Sequence, residues 1–151
     1  MVTVLHWVAV LPASVAWGWV AWFLALHLNR WSMRFNYINP EFLLARGFVE
    51  FVSHFVYACV FILTGAPVAP AHRTIVAYVL GAFGLLFSGF LLSYALATLD
   101  YWTIWGLLGM DVGTGFIVYK VSVDDIELEY TAEEDGVRSA TQGHRPRLEL
   151  R

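Results

Sequence analysis

Three long apolar runs, parted by short polar breaks, fill the first two thirds of the chain. Residues 2–28 carry no formal charge, residues 47–65 carry only Glu50, and residues 74–99 carry none. About 20 mostly apolar residues suffice for a helix to cross a hydrocarbon layer about 30 Å thick. In lipid each backbone N–H and C=O must be satisfied within its own element, so such runs read as helices. The pattern predicts an all-α integral membrane protein with a three-helix transmembrane domain over residues 1–100. The first run lacks a basic leader and is far longer than the apolar part of a signal peptide, so it reads as a retained helix.

The breaks predict how the helices begin and turn. Asn39, Pro40 and Glu41 form a helix-start signature, which places the beginning of the second helix near Pro40. Residues 66–73 (APVAPAHR) hold two prolines and read as a tight exposed turn.

Residues 101–121 are ambiguous. They are long enough for a span, but they hold Asp111 and four glycines, and they follow the third run almost directly. The expectation is an interfacial helix over 101–110, or a re-entrant segment, with a Gly-rich turn to residue 115. Residues 116–151 then form a polar, acidic C-terminal extension. Within it, 116–130 (FIVYKVSVDDIELEY) has the β-branched composition and alternation of a half-buried strand, with a turn near Asp124 and Asp125.

Composition sharpens this picture. The chain is 59% hydrophobic and 14% charged, against about 25% charged in an average soluble domain. An ordinary soluble enzyme, a disordered chain and a collagen-like repeat are excluded. Residues 122–151 hold eight acids and four bases, a net of −4, whereas the whole chain is −3. No basic stripe suggests nucleic acid, and the single cysteine, Cys59, excludes an intrachain disulfide. With three spans, Arg30, Arg34, Arg46 and Lys120 share one side and Arg73 lies on the other. The positive-inside rule then expects the N-terminus outside the cell membrane and the tail in the cytoplasm.

Candidate chemistry lies on the second helix. Arg46, Glu50 and His54 recur every fourth residue and so share one face. Ionisable groups in a span usually face a bundle interior or a cavity, which makes them functional candidates. His27, near the end of the first helix, is expected on the same side of the bilayer. A Glu50–His54–His27 cluster offers ligands for a metal, a proton path or a quinone head. Haem would need two histidines at matching depth, and His6 with His72 or His27 with His54 are the pairs on offer. The bland alternative is that Glu50 pairs with a loop base while His54 makes one interhelical hydrogen bond.

Two small-residue faces, Ser14–Gly18–Ala21–Ala25 and Ala77–Gly81–Gly84–Ser88, follow a 4–3–4 spacing that allows close helix contact, with each other or with a partner. Trp7, Trp31, Trp102 and Trp105 suit interfacial anchoring. Trp17, Trp19 and Trp22 lie between the belts, where lipid, a partner subunit or a bound lipophilic cofactor would meet them. No phosphate loop, nucleophile elbow or zinc-protease motif is present, and no catalytic motif emerges. The leading expectation is a non-catalytic membrane subunit that packs among lipids against other transmembrane subunits or copies of itself. The alternatives are a small holin-like pore-former and a haem-, metal- or quinone-binding subunit.

Overall fold

The computed structural model describes residues 2–69 and 72–123, with residues 2–6 as backbone only, and these residues are all-helical. Helix α1 spans Val2–Phe35, α2 Leu43–Val68, α3 Arg73–Thr98 and α4 Tyr101–Ser122. All four are long and apolar enough to cross a membrane, where three were expected.

The difference lies in residues 101–122. The third and fourth helices are joined by only Leu99 and Asp100, and two hydrogen bonds make that possible. Leu99 adopts a left-handed conformation (φ 55°), the N–H of Leu99 donates to Leu96 O at 3.3 Å, and that of Asp100 to Ala95 O at 3.0 Å. This is the usual way a helix closes its last carbonyls, with a leucine where glycine is the common choice. Asp100 then caps α4 by accepting from the N–H of Thr103. A span-to-span turn therefore needs fewer residues than the sequence reading assumed.

The strand expected from residue 116 is also replaced by helix, as far as residue 122. Within α4, Gly113, Ile117 and Val121 are buried while Phe116, Tyr119 and Val123 face outward, a helical period rather than an alternating one. Helix is what lipid enforces on β-branched residues, because an unpaired strand would leave its backbone unsatisfied. The turn near Asp124 and Asp125 and the acidic tail lie outside the described residues.

Smaller corrections concern the helix ends. Helix α2 starts at Leu43 rather than Pro40, because Asn39 makes a local turn, accepting from the N–H of Glu41 at 3.0 Å. It continues through Pro67 to Val68, beyond the exposed turn expected from residue 66, with Ala66 buried. His72 precedes α3 in a left-handed conformation (φ 54°).

The helices run up, down, up and down. Ser14 meets Gly65 and Trp22 meets His54, so α1 and α2 are antiparallel. Gly106 lies against His54 and Gly113 against Ala58, so α2 and α4 are parallel. Helix α2 packs against all three others, whereas α1 approaches α2 alone. A packed core of Val10, Phe61, Ile62, Ala66, Leu80, Ile117 and Val121 fills the end of the bundle where α2 finishes. It brings the beginning of α1 and the end of α4 to the same end. Four crossings would put these two ends on one side of the membrane, whereas three would put them on opposite sides.

Polar side chains within the spans largely return to their own backbone. Ser14 Oγ donates to Val10 O at 2.7 Å and Thr64 Oγ1 to Val60 O at 2.6 Å, the back-bonding that lets hydroxyls lie within a helix.

Candidate lipophile-binding cavity

Because α1 and α3 do not approach each other, a cavity of about 770 Å³ separates them above α2 and α4. One end is polar, and it is built mainly by the α2 stripe. Arg46, Glu50 and His54 all line the cavity. At 1.5 Å per residue from Leu43 they lie roughly 4, 10 and 16 Å along the helix, so the stripe runs from the start of α2 towards mid-membrane.

Each member has a defined local partner. The Nδ1 of His54 is 2.8 Å from Glu50 O. A carbonyl can only accept, so Nδ1 carries the proton in this bond, and Nε2 is the ring nitrogen left to face other groups. The Glu50 carboxylate is 4.0 Å from the same Nδ1, at the outer edge of an ion pair. The imidazole is seated between Trp22 of α1, at 5.9 Å between ring centroids and 69°, and Gly106 of α4. A Cβ at position 106 would fall 2.8 Å from the ring, so the absence of a side chain there is what admits the histidine. The guanidinium of Arg46 lies 4.2 Å from the centroid of the Trp102 ring, a cation–π contact worth about 0.5–2 kcal/mol depending on desolvation.

Asp100 and Thr103 complete the polar end. The Asp100 carboxylate accepts from the Thr103 hydroxyl at 2.5 Å and the Thr103 N–H at 3.4 Å. These bonds, with a smaller contribution from the charge of Arg46, hold its carboxyl below the usual carboxylate range. Deeper in, the walls turn apolar and aromatic: Trp19, Tyr57, Phe61, Phe83, Phe87 and Met110. Trp22 Nε1 and Arg46 Nε are buried without a hydrogen-bond partner. The arrangement can hold a molecule with an apolar body and a compact polar head.

His27 is not part of this group. It is exposed, its Nδ1 donates to Phe23 O at 2.9 Å and its ring lies on Phe23, 4.0 Å between centroids. The expected Glu–His–His cluster is thus reduced to Glu50 and His54. Among the described residues no three His, Cys, Asp or Glu side chains come together as a metal site. His72 is exposed at the start of α3, away from the cavity lining, and the His6 side chain lies outside the described residues.

The small-residue faces meet helices of this chain, though not each other. Ser14 packs on Gly65 and Gly18 on Tyr57 of α2, with Ala21 and Ala25 half-buried beyond them. Gly81 faces Val118 and Gly84 faces Thr114 of α4, with Ala77 and Ser88 buried on the same helix. The tightest approach to a neighbouring backbone was not read from the sequence. A Cβ at Gly109 would land on the Phe51 carbonyl oxygen, and one at Gly113 would fall 2.6 Å from that of Phe55. The signal was available in the 3–4 spacing of Gly106, Gly109 and Gly113, which is again the small-residue pattern.

The tryptophans divide by position. Trp31, Trp102 and Trp105 lie at the end of the bundle where α2 begins, and Trp7 at the other. Trp17 faces outward at 58% exposure. Trp19 and Trp22 meet edge to face, 5.3 Å between centroids, on the cavity wall. Asp111, half-buried in α4, has one carboxylate oxygen buried without a partner. Compared with models of known families, with curated proteins and with solved structures, the chain matches none.

Proposed function

We propose that this chain is a non-catalytic, multi-pass subunit of a cell membrane protein assembly, whose cavity between α1 and α3 holds a lipophilic molecule with a polar head. The observation that carries the reading is the cavity's polarity. Arg46, Glu50, His54, Asp100 and Thr103 gather at one end, and aromatic and aliphatic side chains line the rest. Ligand sites are mostly apolar clefts with a few convergent polar groups, and between helices of a bundle is a common place for them.

The assembly part of the reading rests on α1, which one helix alone supports, and on the outward-facing Phe90 and Tyr94 of α3. A holin-like pore has less support, because the ionisable side chains of α2 converge inside the bundle. The bases carried by the helices favour a cytoplasmic position for the α1–α2 connection, with Arg30, Arg34 and Arg46 at that end against Arg73 and Lys120 at the other.

The test is extraction in a mild detergent, followed by native mass spectrometry and analysis of whatever organic solvent removes. The expected result is a stoichiometric lipophilic molecule, lost from a variant in which Gly84→Trp fills the cavity. A folded protein that carries detergent alone would overturn the cavity reading, and a monomer that no partner accompanies would overturn the assembly.

A further inference from the structure

We infer that the head accommodated by this cavity is a neutral, planar ring bearing carbonyl oxygens on an apolar chain, the chemistry of an isoprenoid quinone, seated beside His54 and Trp22. The inference rests on the reading that the cavity binds a lipophilic molecule, and three observations narrow that molecule.

The first is depth. His54 lies about 16 Å along α2 from Leu43, and the helix of 26 residues is about 39 Å long. Phospholipid head groups stay in the interfacial layers outside the hydrocarbon. A ligand that uses His54 and Trp22 has to bring its polar atoms towards the middle of the bilayer, which a small uncharged ring does without stripping water from an ion.

The second is charge. The ionisable groups lining the cavity are Arg46 and His54 with Glu50, Asp100 and Tyr57. One guanidinium faces two carboxylates, and Arg46 is already engaged with the Trp102 ring. A phosphate or carboxylate head would meet more negative than positive charge, whereas a neutral carbonyl meets no such repulsion.

The third is the hydrogen-bonding inventory. Trp22 Nε1–H is a buried donor without an acceptor. His54 holds its Nδ1 proton on Glu50 O, so Nε2 is the ring nitrogen left for a ligand. An indole N–H beside an imidazole nitrogen suits the carbonyl oxygen of a quinone ring or the hydroxyl of its reduced form. Trp19, Trp22, Phe83 and Phe87 give the ring flat aromatic walls, and such walls favour offset or edge contacts with a planar partner.

The experiment uses the full chain in detergent, with decylubiquinone as the probe. Binding is measured by calorimetry, and the native extract is examined for quinone and phospholipid. Saturable binding is expected. Trp22→Phe keeps a ring but removes the N–H and should weaken binding about five- to tenfold, as loss of one hydrogen bond implies. His54→Leu, which keeps the bulk and removes the ring nitrogens, should weaken it similarly. Trp105→Phe, outside the cavity, serves as the folded control and should bind as the parent does. Probe uptake that does not saturate, or equal affinity in the parent and Trp22→Phe, overturns the inference. An extract with stoichiometric phospholipid and no quinone overturns it as well, while leaving the cavity reading intact. An extract with neither overturns both.

Discussion

A glycine in a membrane helix matters according to what its missing side chain would touch. At Gly109 and Gly113 that neighbour is the backbone carbonyl of Phe51 and of Phe55, which cannot rotate away. Gly109→Ala and Gly113→Ala are therefore expected to force α4 from α2 and destabilise the protein by about 1–3 kcal/mol, the usual range for overpacking. Gly115 has open space around it, and Gly115→Ala should be neutral or slightly stabilising. Thermal unfolding in detergent, followed by circular dichroism, compares the three. A Gly109→Ala protein as stable as Gly115→Ala would mean that α2 and α4 are not in backbone contact. At this scale the Arg46–Glu50–His54 face was legible, because a four-residue spacing fixes a common face within one helix. Trp22, Gly106 and Trp102 were not, since what assigns them to the same site is the packing of α1 and α4 on α2.

The first three apolar runs form the helices they predict, whereas residues 101–122 depart from expectation, beginning with the join between the third helix and the fourth. Leu99 accepts a left-handed backbone that disfavours a residue with a Cβ by roughly 1–2 kcal/mol. Leu99→Gly should relieve part of this and raise the melting temperature, whereas a β-branched Leu99→Val should lower it. The same turn carries a pH dependence. Asp100 is held below its ordinary pKa in the folded protein, first by the Thr103 hydroxyl, so its contribution is present above the unfolded value of about 3.9. That contribution disappears as the pH falls below this range and through the folded value. Melting measured across acidic pH should show a loss for the parent that is absent in Asp100→Asn, and identical profiles would exclude the cap as the source. This turn is what lets a fourth membrane-length helix follow the third directly. Nothing in the letters Thr98-Leu99-Asp100 announces a left-handed leucine, and without one two residues could not join two spans.

For the whole molecule the decisive quantity is the number of crossings, which four membrane-length helices would make even. Reporter domains that are active on one side of a membrane only, fused before Val2 and after Ser122, are expected to give the same answer. Opposite answers would restore the three-span arrangement and remove α4 from the membrane. The sequence announced the membrane environment and the first three helices through unbroken hydrophobicity. The cavity was beyond it, since the cavity exists only because α1 and α3 stand apart.

The central place of α2 also has a consequence for biogenesis. A chain leaving the ribosome N-terminus first delivers Arg46, Glu50 and His54 to the lipid well before α4 has been made. Among the described helices, α1 is the earlier element that can shield them, and its Trp22 stands against His54. Helix α4, with the lowest mean hydropathy of the four at 1.2 against 2.3 for α3, then enters a bilayer where α2 offers its glycines a surface to adhere to. The least apolar of the four described helices thus follows the other three, with a neighbour already in place to receive it.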